Sequence, residues 1–120
     1  MIRDDGVYLT HISAALKQIV TYTDGMEYSG FMINRMAQDA VIRQFEIIGE
    51  AAKNLSDDFR YRHSAIPWKD LAGFRDKLIH QYFGVDLAMV WQSVVDDVPM
   101  LMVELTKIPL SEVRAGNHIV

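Results

Sequence analysis

The stretch of sequence that decides the fold is residues 37–55, which read AQDAVIRQFEIIGEAAKNL. Its apolar residues recur every three or four positions, which is the spacing of one face of an α-helix. The stripe consists of Ala37, Val41, Phe45, Ile48, Ala52 and Leu55. Because Met36, Ala40 and Ile47 widen this stripe, we predict a long and heavily buried helix from about residue 31 to residue 55.

Gly49 lies inside this predicted helix, where glycine is less stable than alanine by up to about 1 kcal/mol. Glycine has no Cβ atom, so another helix can come very close to it. We therefore predict a close helix–helix approach at position 49. The polar residues Ser56-Asp57-Asp58 should stop the regular pattern.

Helical spacing continues on the N-terminal side of this stretch. The apolar residues of a first helix are Tyr8, Ile12, Ala15, Ile19 and Tyr22. Asp4 or Asp5 could cap it, because a short acidic side chain accepts hydrogen bonds from the free N–H groups of a helix start. Asp24-Gly25 should end it, since glycine commonly follows a helix.

Two more helices are predicted on the C-terminal side. Pro67 suits the first turn of the third helix, and Gly84 should terminate it. Asp86 can cap the fourth helix, in which Pro99 should introduce a kink. The fourth apolar stripe is Leu87, Val90, Trp91, Val94, Val98, Leu101, Met102 and Leu105. No stretch alternates as a β-strand does, so we predict an all-α fold, an antiparallel bundle of four main helices.

Length and composition favour a single globular domain. The chain has 120 residues, of which 50% are hydrophobic and 23% are charged, a globular balance. We predict one domain over residues 1–120, with a polar and loosely ordered tail from about Pro109. The absence of cysteine excludes disulfides, zinc–thiolate sites and cysteine nucleophiles. We expect a cytoplasmic protein that does not enter a membrane, because no signal peptide is evident and no apolar run approaches the roughly 18 residues of a span.

Charge is unevenly distributed along the chain. The formal net charge of −4 argues against a general nucleic-acid coat protein. Residues 60–80, however, contain five basic and two acidic side chains, a net charge of +3 that leaves −7 for the rest. The five basic residues are Arg60, Arg62, Lys69, Arg75 and Lys77. This stretch could contact nucleic acid or be an ordinary solvated surface, because short basic stretches are weak evidence.

The third helix carries three residues whose chemistry fits RNA cleavage. Arg75 lies on its apolar face, where an unpaired charge is destabilising. Its guanidinium fork fits a phosphate, and His80 can exchange protons near neutral pH. The hydroxyl of Tyr82 can bind a phosphate or be modified. Such groups can help a ribose 2′-hydroxyl attack its own phosphate and stabilise the crowded phosphorus without a metal.

A straight helix does not bring the arginine and the imidazole together. At about 100° per residue, Arg75 and Tyr82 project from nearly the same side, whereas His80 lies about 140° away from Arg75. Helix fraying before Gly84, the length of the arginine side chain or a second subunit must close that gap.

These residues also have a purely structural interpretation. Arg75 could pair with Glu46 or Glu50, which would neutralise its charge. His80 could be stabilised by the helix dipole at a C-terminus, and Tyr82 could be a packing residue.

At these residues the chain resembles the HEPN superfamily, and specifically its HepT-like ribonuclease toxins. The signature of that family is arginine, four residues, histidine, one residue, tyrosine, and residues 75–82 read RDKLIHQY. The resemblance covers most of the chain, in order. Its further segments are AVIRQFEIIGEA at 40–51, IPW at 66–68, GFR at 73–75, HQYFGVD at 80–86 and VW at 90–91.

The resemblance implies a HEPN-like homodimer whose signature helices meet across the interface. It also implies a metal-independent endoribonuclease, the toxin of a toxin–antitoxin pair, with an MntA-type nucleotidyltransferase as the antitoxin. Arg75 would stabilise the phosphate of the RNA substrate, and His80 would act as general base or acid. Tyr82 would accept AMP from the antitoxin, which would place a bulky anion where an RNA phosphate should sit.

Asp76 is a departure from the family pattern, in which asparagine is common at that position. Its carboxylate could hydrogen-bond to His80 or Arg75, but it also adds negative charge near a phosphate. The remaining basic side chains are weaker candidates for contacting the RNA backbone. They are Lys77, Arg60, Arg62 and Lys69.

No metal site and no cofactor are predicted. Di-iron helical bundles use Glu-x-x-His pairs, but Gly49 and Lys53 stand three residues after Glu46 and Glu50. His11, His63 and His118 are isolated in sequence, so we expect each to be structural or solvent-exposed.

A second function from another class is a non-catalytic helical module that binds a nucleotidyltransferase or a nucleotide. The acidic net charge and Asp76 favour it.

Overall fold

The computed structural model describes residues 4–80, 84–109 and 111–112, and this part of the chain is helical without any strand. Four helices are long and two are short. The long ones are α1 Asp5–Thr23, α3 Arg35–Asn54, α5 Trp68–His80 and α6 Leu87–Thr106, and the short ones are α2 Tyr28–Met32 and α4 Asp57–Arg62. The predicted all-α fold is confirmed, while α2 and α4 were not predicted.

Helix α3 is central, because both α1 and α5 pack against it. Its predicted stripe is buried: Ala37, Val41, Phe45, Ile48, Ala52 and Leu55 are each at most 7% exposed. The prediction that Met36 widens this stripe was wrong, since Met36 is 81% exposed. Met36 directly precedes the buried Ala37. Because neighbouring residues are about 100° apart around a helix, Met36 faces outward.

Contacts between particular residues show that neighbouring helices run antiparallel. Asp5, at the start of α1, accepts hydrogen bonds of 2.8 Å from both the backbone N–H and the hydroxyl of Ser56, which follows α3. Phe45 of α3 packs against Phe74, in the middle of α5, with ring centroids 5.3 Å apart. Phe59, shortly after the end of α3, packs against Trp68, the first residue of α5, with ring centroids 5.9 Å apart. Direction therefore reverses from α1 to α3 and again from α3 to α5.

Several predicted helix ends are confirmed. Asp4 caps α1, with its carboxylate accepting a hydrogen bond from the N–H of Gly6 at 3.0 Å. Gly25 has a φ of +71° just after α1, a conformation that favours glycine. The carboxylate of Asp86 accepts from the N–H of Met89 at 3.1 Å and caps α6.

The long helix predicted from residue 31 is interrupted, and α3 begins only at Arg35. The cause is Asn34, whose side-chain oxygen accepts a hydrogen bond from the N–H of Ala37 at 3.0 Å and so caps a new helix. The buried Gln38 then donates to the carbonyl of Phe31 at 2.9 Å. This bond holds the separate helix α2 against α3.

Ser56-Asp57-Asp58 does end α3, but it also begins α4. The hydroxyl of Ser56 accepts a hydrogen bond from the N–H of Phe59 at 3.1 Å, and Phe59 is 1% exposed. The cap and the buried aromatic ring both hold this short helix in place.

Helix α6 continues on both sides of Pro99. Tyr82, the segment between α5 and Gly84, and the tail beyond Glu112 lie outside the described residues. Among the helices of the described part, none combines the length and the apolar composition needed to cross a bilayer.

Candidate active site

Arg75 sits at the closest approach between α3 and α5. A Cβ atom built on Gly49 would lie 2.1 Å from the Cβ atom of Arg75 and 2.7 Å from the carbonyl oxygen of Leu71. No other residue type fits at position 49 without moving one helix, because real Cβ contacts are longer than 3.0 Å. The predicted close approach at this glycine is confirmed, and it fixes the stem of Arg75 against α3.

The guanidinium of Arg75 is held between two carboxylates. One terminal nitrogen is 3.1 Å from Glu50 of α3, and the other is 2.9 Å from Asp76. The arginine side chain is 26% exposed, against 52% for Glu50 and 46% for Asp76. Of the two pairings that the sequence allowed, the structure has the one with Glu50, while Glu46 lies 3.8 Å from Arg43.

Asp76 is held in its ionised form by positive neighbours. The hydrogen bond from Arg75 lowers the pKa of Asp76 below its usual value, and the charges of Lys53, Arg75 and His80 lower it further, against a smaller opposing effect of desolvation. The negative charge of Asp76 is therefore a permanent feature of the site at neutral pH.

His80 is exposed and is the last described residue of α5. The helix is regular from Trp68 through His80, so the chain does not fray between Arg75 and His80. Fraying within residues 75–80 is therefore excluded as a way of closing the gap between these side chains, whereas residues 81–83, just before Gly84, lie outside the described residues. The reach of the arginine and a second subunit remain as ways of closing it.

Arg75 opens into a groove between α1, α3 and α5. The groove has a cavity volume of about 210 Å³. Its polar lining consists of His11, Arg43, Glu46, Glu50, Asn54 and Arg75, and its other lining residues are Tyr8, Ile47, Ala51 and Ile79. His80 is not one of its lining residues.

The other basic candidates lie elsewhere on the molecule. Arg60 pairs with Asp57 and lines a different cleft together with Lys69. Arg62 bonds to Asp58 at 2.9 Å and also to Glu112. These three side chains are thus not brought together with Arg75.

Lys77 and Tyr82 complete the predicted set. Lys77 is exposed on α5, with its amine 3.8 Å from the sulfur of Met89. Tyr82 lies outside the described residues. Among the described side chains, no group of three histidine, aspartate or glutamate residues is arranged to hold a metal ion.

Sequence reasoning missed His11 and Arg43 as companions of Arg75. His11 lies on α1 and Arg43 on α3, and each looks isolated along the chain. The available signal was indirect: Arg43 is four residues before Ile47 and seven before Glu50, so it shares their side of α3. Whether His11 reaches the groove depends on how α1 packs against α3, and the apolar stripe of α1 alone does not specify that packing.

Comparison with known proteins finds one family whose model matches most of the chain. The family described as "Ribonuclease HepT-like" matches residues 12–108. A Thermococcus cleftensis protein named "Probable ribonuclease HepT" is 43% identical over 90% of this chain and 98% of its own length. A protein of Caldanaerobacter subterraneus subsp. tengcongensis, named a candidate RNase, is 40% identical over 84% of this chain and 90% of its own.

Another relative is longer than this chain. A Methanocaldococcus jannaschii protein, named both a gamma-glutamylcyclotransferase and a candidate RNase, is 46% identical over 90% of this chain. The match covers 49% of that protein, so the chain spans about half of its length. No solved structure matches the chain.

Proposed function

This chain belongs to the HepT-like ribonuclease family, and on that premise we propose that it is a metal-independent endoribonuclease, the toxin of a toxin–antitoxin pair. The observation that carries the proposal is the position of Arg75. Gly49 fixes its stem against α3, and its partly exposed guanidinium opens into a groove. A fixed cation beside an open groove is what stabilisation of a crowded phosphate requires.

Arg75 keeps donors for a substrate although it is already in two ion pairs. A guanidinium has five N–H donors, and the contacts with Glu50 and Asp76 engage one at each terminal nitrogen. An RNA phosphate can use the remaining donors or displace Glu50, which is half-exposed. The paired carboxylates hold the guanidinium in position until the phosphate arrives.

His80 is the proton-transfer group of the proposed reaction. It accepts the proton of the ribose 2′-hydroxyl as that oxygen attacks the phosphorus, and the bond from phosphorus to the 5′-oxygen breaks. The imidazolium of His80 then gives this proton to the departing 5′-oxygen, which balances the step and leaves a 2′,3′-cyclic phosphate. An exposed imidazole at the end of α5 is accessible to such a substrate.

A homodimer completes the proposed site. Arg75 reaches toward α3, whereas His80 projects about 140° away on a regular helix. Two copies that meet through α5 bring the arginine of one subunit near the histidine of the other. Dimerisation also doubles the local positive charge of a chain whose net charge is −4. Lys77, Arg60, Arg62 and Lys69 are then peripheral contacts to the RNA backbone.

Tyr82 is the proposed point of control by an MntA-type nucleotidyltransferase antitoxin. AMP attached to its hydroxyl would add a bulky anion two residues from His80 and repel an RNA phosphate. We expect Tyr82→Phe to stay unmodified after incubation with such an enzyme and ATP, as measured by intact mass. An AMP-sized mass increase on that variant would place the acceptor elsewhere.

A non-catalytic module is the second candidate. Arg75 is paired with two carboxylates, and the negative charge of Asp76 persists at neutral pH. Both features weaken the attraction of a single subunit for phosphate. In that case the protein binds a nucleotidyltransferase or a nucleotide without cutting RNA.

Cleavage of end-labelled RNA in a chelator-containing buffer distinguishes the two candidates. We expect the wild type to cleave, and Arg75→Ala and His80→Ala each to lose at least about 100-fold in rate, the scale of a general acid–base or electrostatic contribution. Arg35→Gln is a matched control, because Arg35 is 89% exposed and pairs only with Asp39 among the described salt bridges.

Circular dichroism and sizing should show that every variant is folded and has the wild-type assembly. Undiminished cleavage by folded His80→Ala contradicts the assigned role. Absence of wild-type cleavage, together with tight binding to a nucleotidyltransferase, supports the module.

A further inference from the structure

The groove beside Arg75 is lined by the imidazole of His11. It lies on α1 and is exposed, and it lines the same groove as Arg75. The arginine–histidine–tyrosine signature does not include it. A ligand bound in this groove would meet His11, whereas His80 is not among the lining residues.

The ring of His11 is oriented by its neighbour one turn earlier in α1. The rings of Tyr8 and His11 meet edge to face, with centroids 6.2 Å apart and planes at 86°. Such aromatic pairs are favourable by about 0.5–1.5 kcal/mol beyond simple burial. The contact with Tyr8 therefore holds the imidazole at the groove, while the imidazole remains exposed to solvent.

The groove has hydrogen-bond donors, but its positive and negative side chains nearly cancel in charge. Arg75 lies 3.1 Å from Glu50, and Arg43 lies 3.8 Å from Glu46. Two cations face two anions, so net charge alone does not attract a phosphate. His11 adds a ring N–H that donates in either protonation state, and Asn54 is a further polar residue of the lining.

The size of the groove indicates which part of a ligand it can hold. Its volume of about 210 Å³ is below the roughly 300–1,000 Å³ of sites that enclose a whole drug-sized ligand. It suits one unit of a longer chain, with the rest lying outside. The N–H donors of the lining suit the phosphate of one nucleotide, the Tyr8–His11 ring pair suits its base, and the carboxylates of Glu46 and Glu50 suit its sugar hydroxyls.

We propose that this groove is a nucleotide-binding subsite for the RNA substrate and that His11 is an RNA-contacting residue in it. The subsite holds a nucleotide next to the phosphate that Arg75 binds. His11 acts through a hydrogen bond from its imidazole to the RNA and contributes to binding, not to the proton transfers of cleavage. This inference rests on the proposed ribonuclease function.

Binding of a fluorescent 2′-O-methyl RNA tests the proposal, because this RNA has no 2′-hydroxyl to react and stays intact. We expect His11→Ala, which removes the ring N–H, to raise its Kd about tenfold, the effect of losing one hydrogen bond to a charged group. His11→Gln, whose side-chain amide keeps an N–H donor, should stay within about twofold of the wild type. The matched control is His63→Ala, since His63 bonds to Glu112 and lies outside the groove.

Cleavage kinetics on ordinary RNA provide a second readout. His11→Ala should raise KM and leave kcat within about twofold. An unchanged Kd in folded His11→Ala, or a large fall in its kcat at unchanged KM, overturns the proposal. If the wild type binds RNA through His11 but does not cut it, the subsite stands and the ribonuclease function fails.

Discussion

At the scale of single residues, Gly49 determines where Arg75 can be. Any side chain at position 49 would overlap the Cβ atom of Arg75 and the backbone oxygen of Leu71. Gly49 is unfavourable for the stability of helix α3 by itself, but it lets Arg75 lie at the contact between α3 and α5. Its guanidinium can then reach Glu50, the next residue of α3.

Gly49→Ala should therefore destabilise the fold. We expect the free energy of unfolding, measured by urea denaturation, to fall by about 1–3 kcal/mol, because α5 must move away from α3. Gly73→Ala is the matched control, since a Cβ atom there meets nothing within 4 Å. That variant should be stabilised by about 0.5–1 kcal/mol. Equal effects of the two substitutions would contradict the close approach.

Residue spacing predicted part of the site and missed the rest. The inward position of Arg75 and the role of Gly49 follow from helical periodicity within one element. The involvement of His11 does not, because it depends on how α1 is rotated against α3. The spacing of Arg75 and His80 predicts that one helix does not bring them together, and α5 is helical over both residues.

At the scale of elements, the long helices were predicted, whereas the short helices α2 and α4 were not. The caps were predictable because short acidic residues stand directly before apolar periodicity: Asp86 for α6, and Asp4 or Asp5 for α1, of which the structure has Asp4. The break at Asn34 was missed because apolar residues continue on both sides of it. Only the cap bond to Ala37 reveals that α2 and α3 are separate.

The short helix α4 is also connected to the end of the described chain. Arg62 and His63 both bond to Glu112, with the imidazole 2.8 Å from its carboxylate. Burial alone would raise the pKa of Glu112, but the hydrogen bonds from Arg62 and His63 outweigh it and lower that pKa. The ionised carboxylate thus links α4 to the segment after α6.

Glu112→Gln should lower stability in a pH-dependent manner. The pKa of Glu112 is lower in the folded state, so its ionised form stabilises the fold above the unfolded value of about 4.3. This contribution is lost as pH falls through the folded pKa. Thermal unfolding at pH 7 should show that the free energy of unfolding falls by about 1 kcal/mol in Glu112→Gln, and this difference should disappear in acid.

Glu104→Gln, which removes one pairing with Lys107, is the control and should change stability by less than about 0.5 kcal/mol. An unchanged difference at pH 3 would contradict the link.

At the scale of the whole molecule, the all-α class and the antiparallel order followed from periodicity, because four long apolar stripes leave few other packings. The periodicity does not predict how subunits assemble. In a single chain, Arg75 lines a groove between α1, α3 and α5, and His80 is exposed at the end of α5. The central claim is that both act on one phosphate, with the two groups contributed by different subunits of a dimer.

Mixing two inactive variants tests this claim most directly. Arg75→Ala and His80→Ala are unfolded together, refolded as a mixture and assayed on labelled RNA in metal-free buffer. In a symmetric dimer, half of the assemblies are mixed and one of their two sites is intact, so activity should return to about a quarter of the wild-type level. A mixture that forms mixed dimers, yet remains as inactive as its parents, would contradict a site shared between subunits.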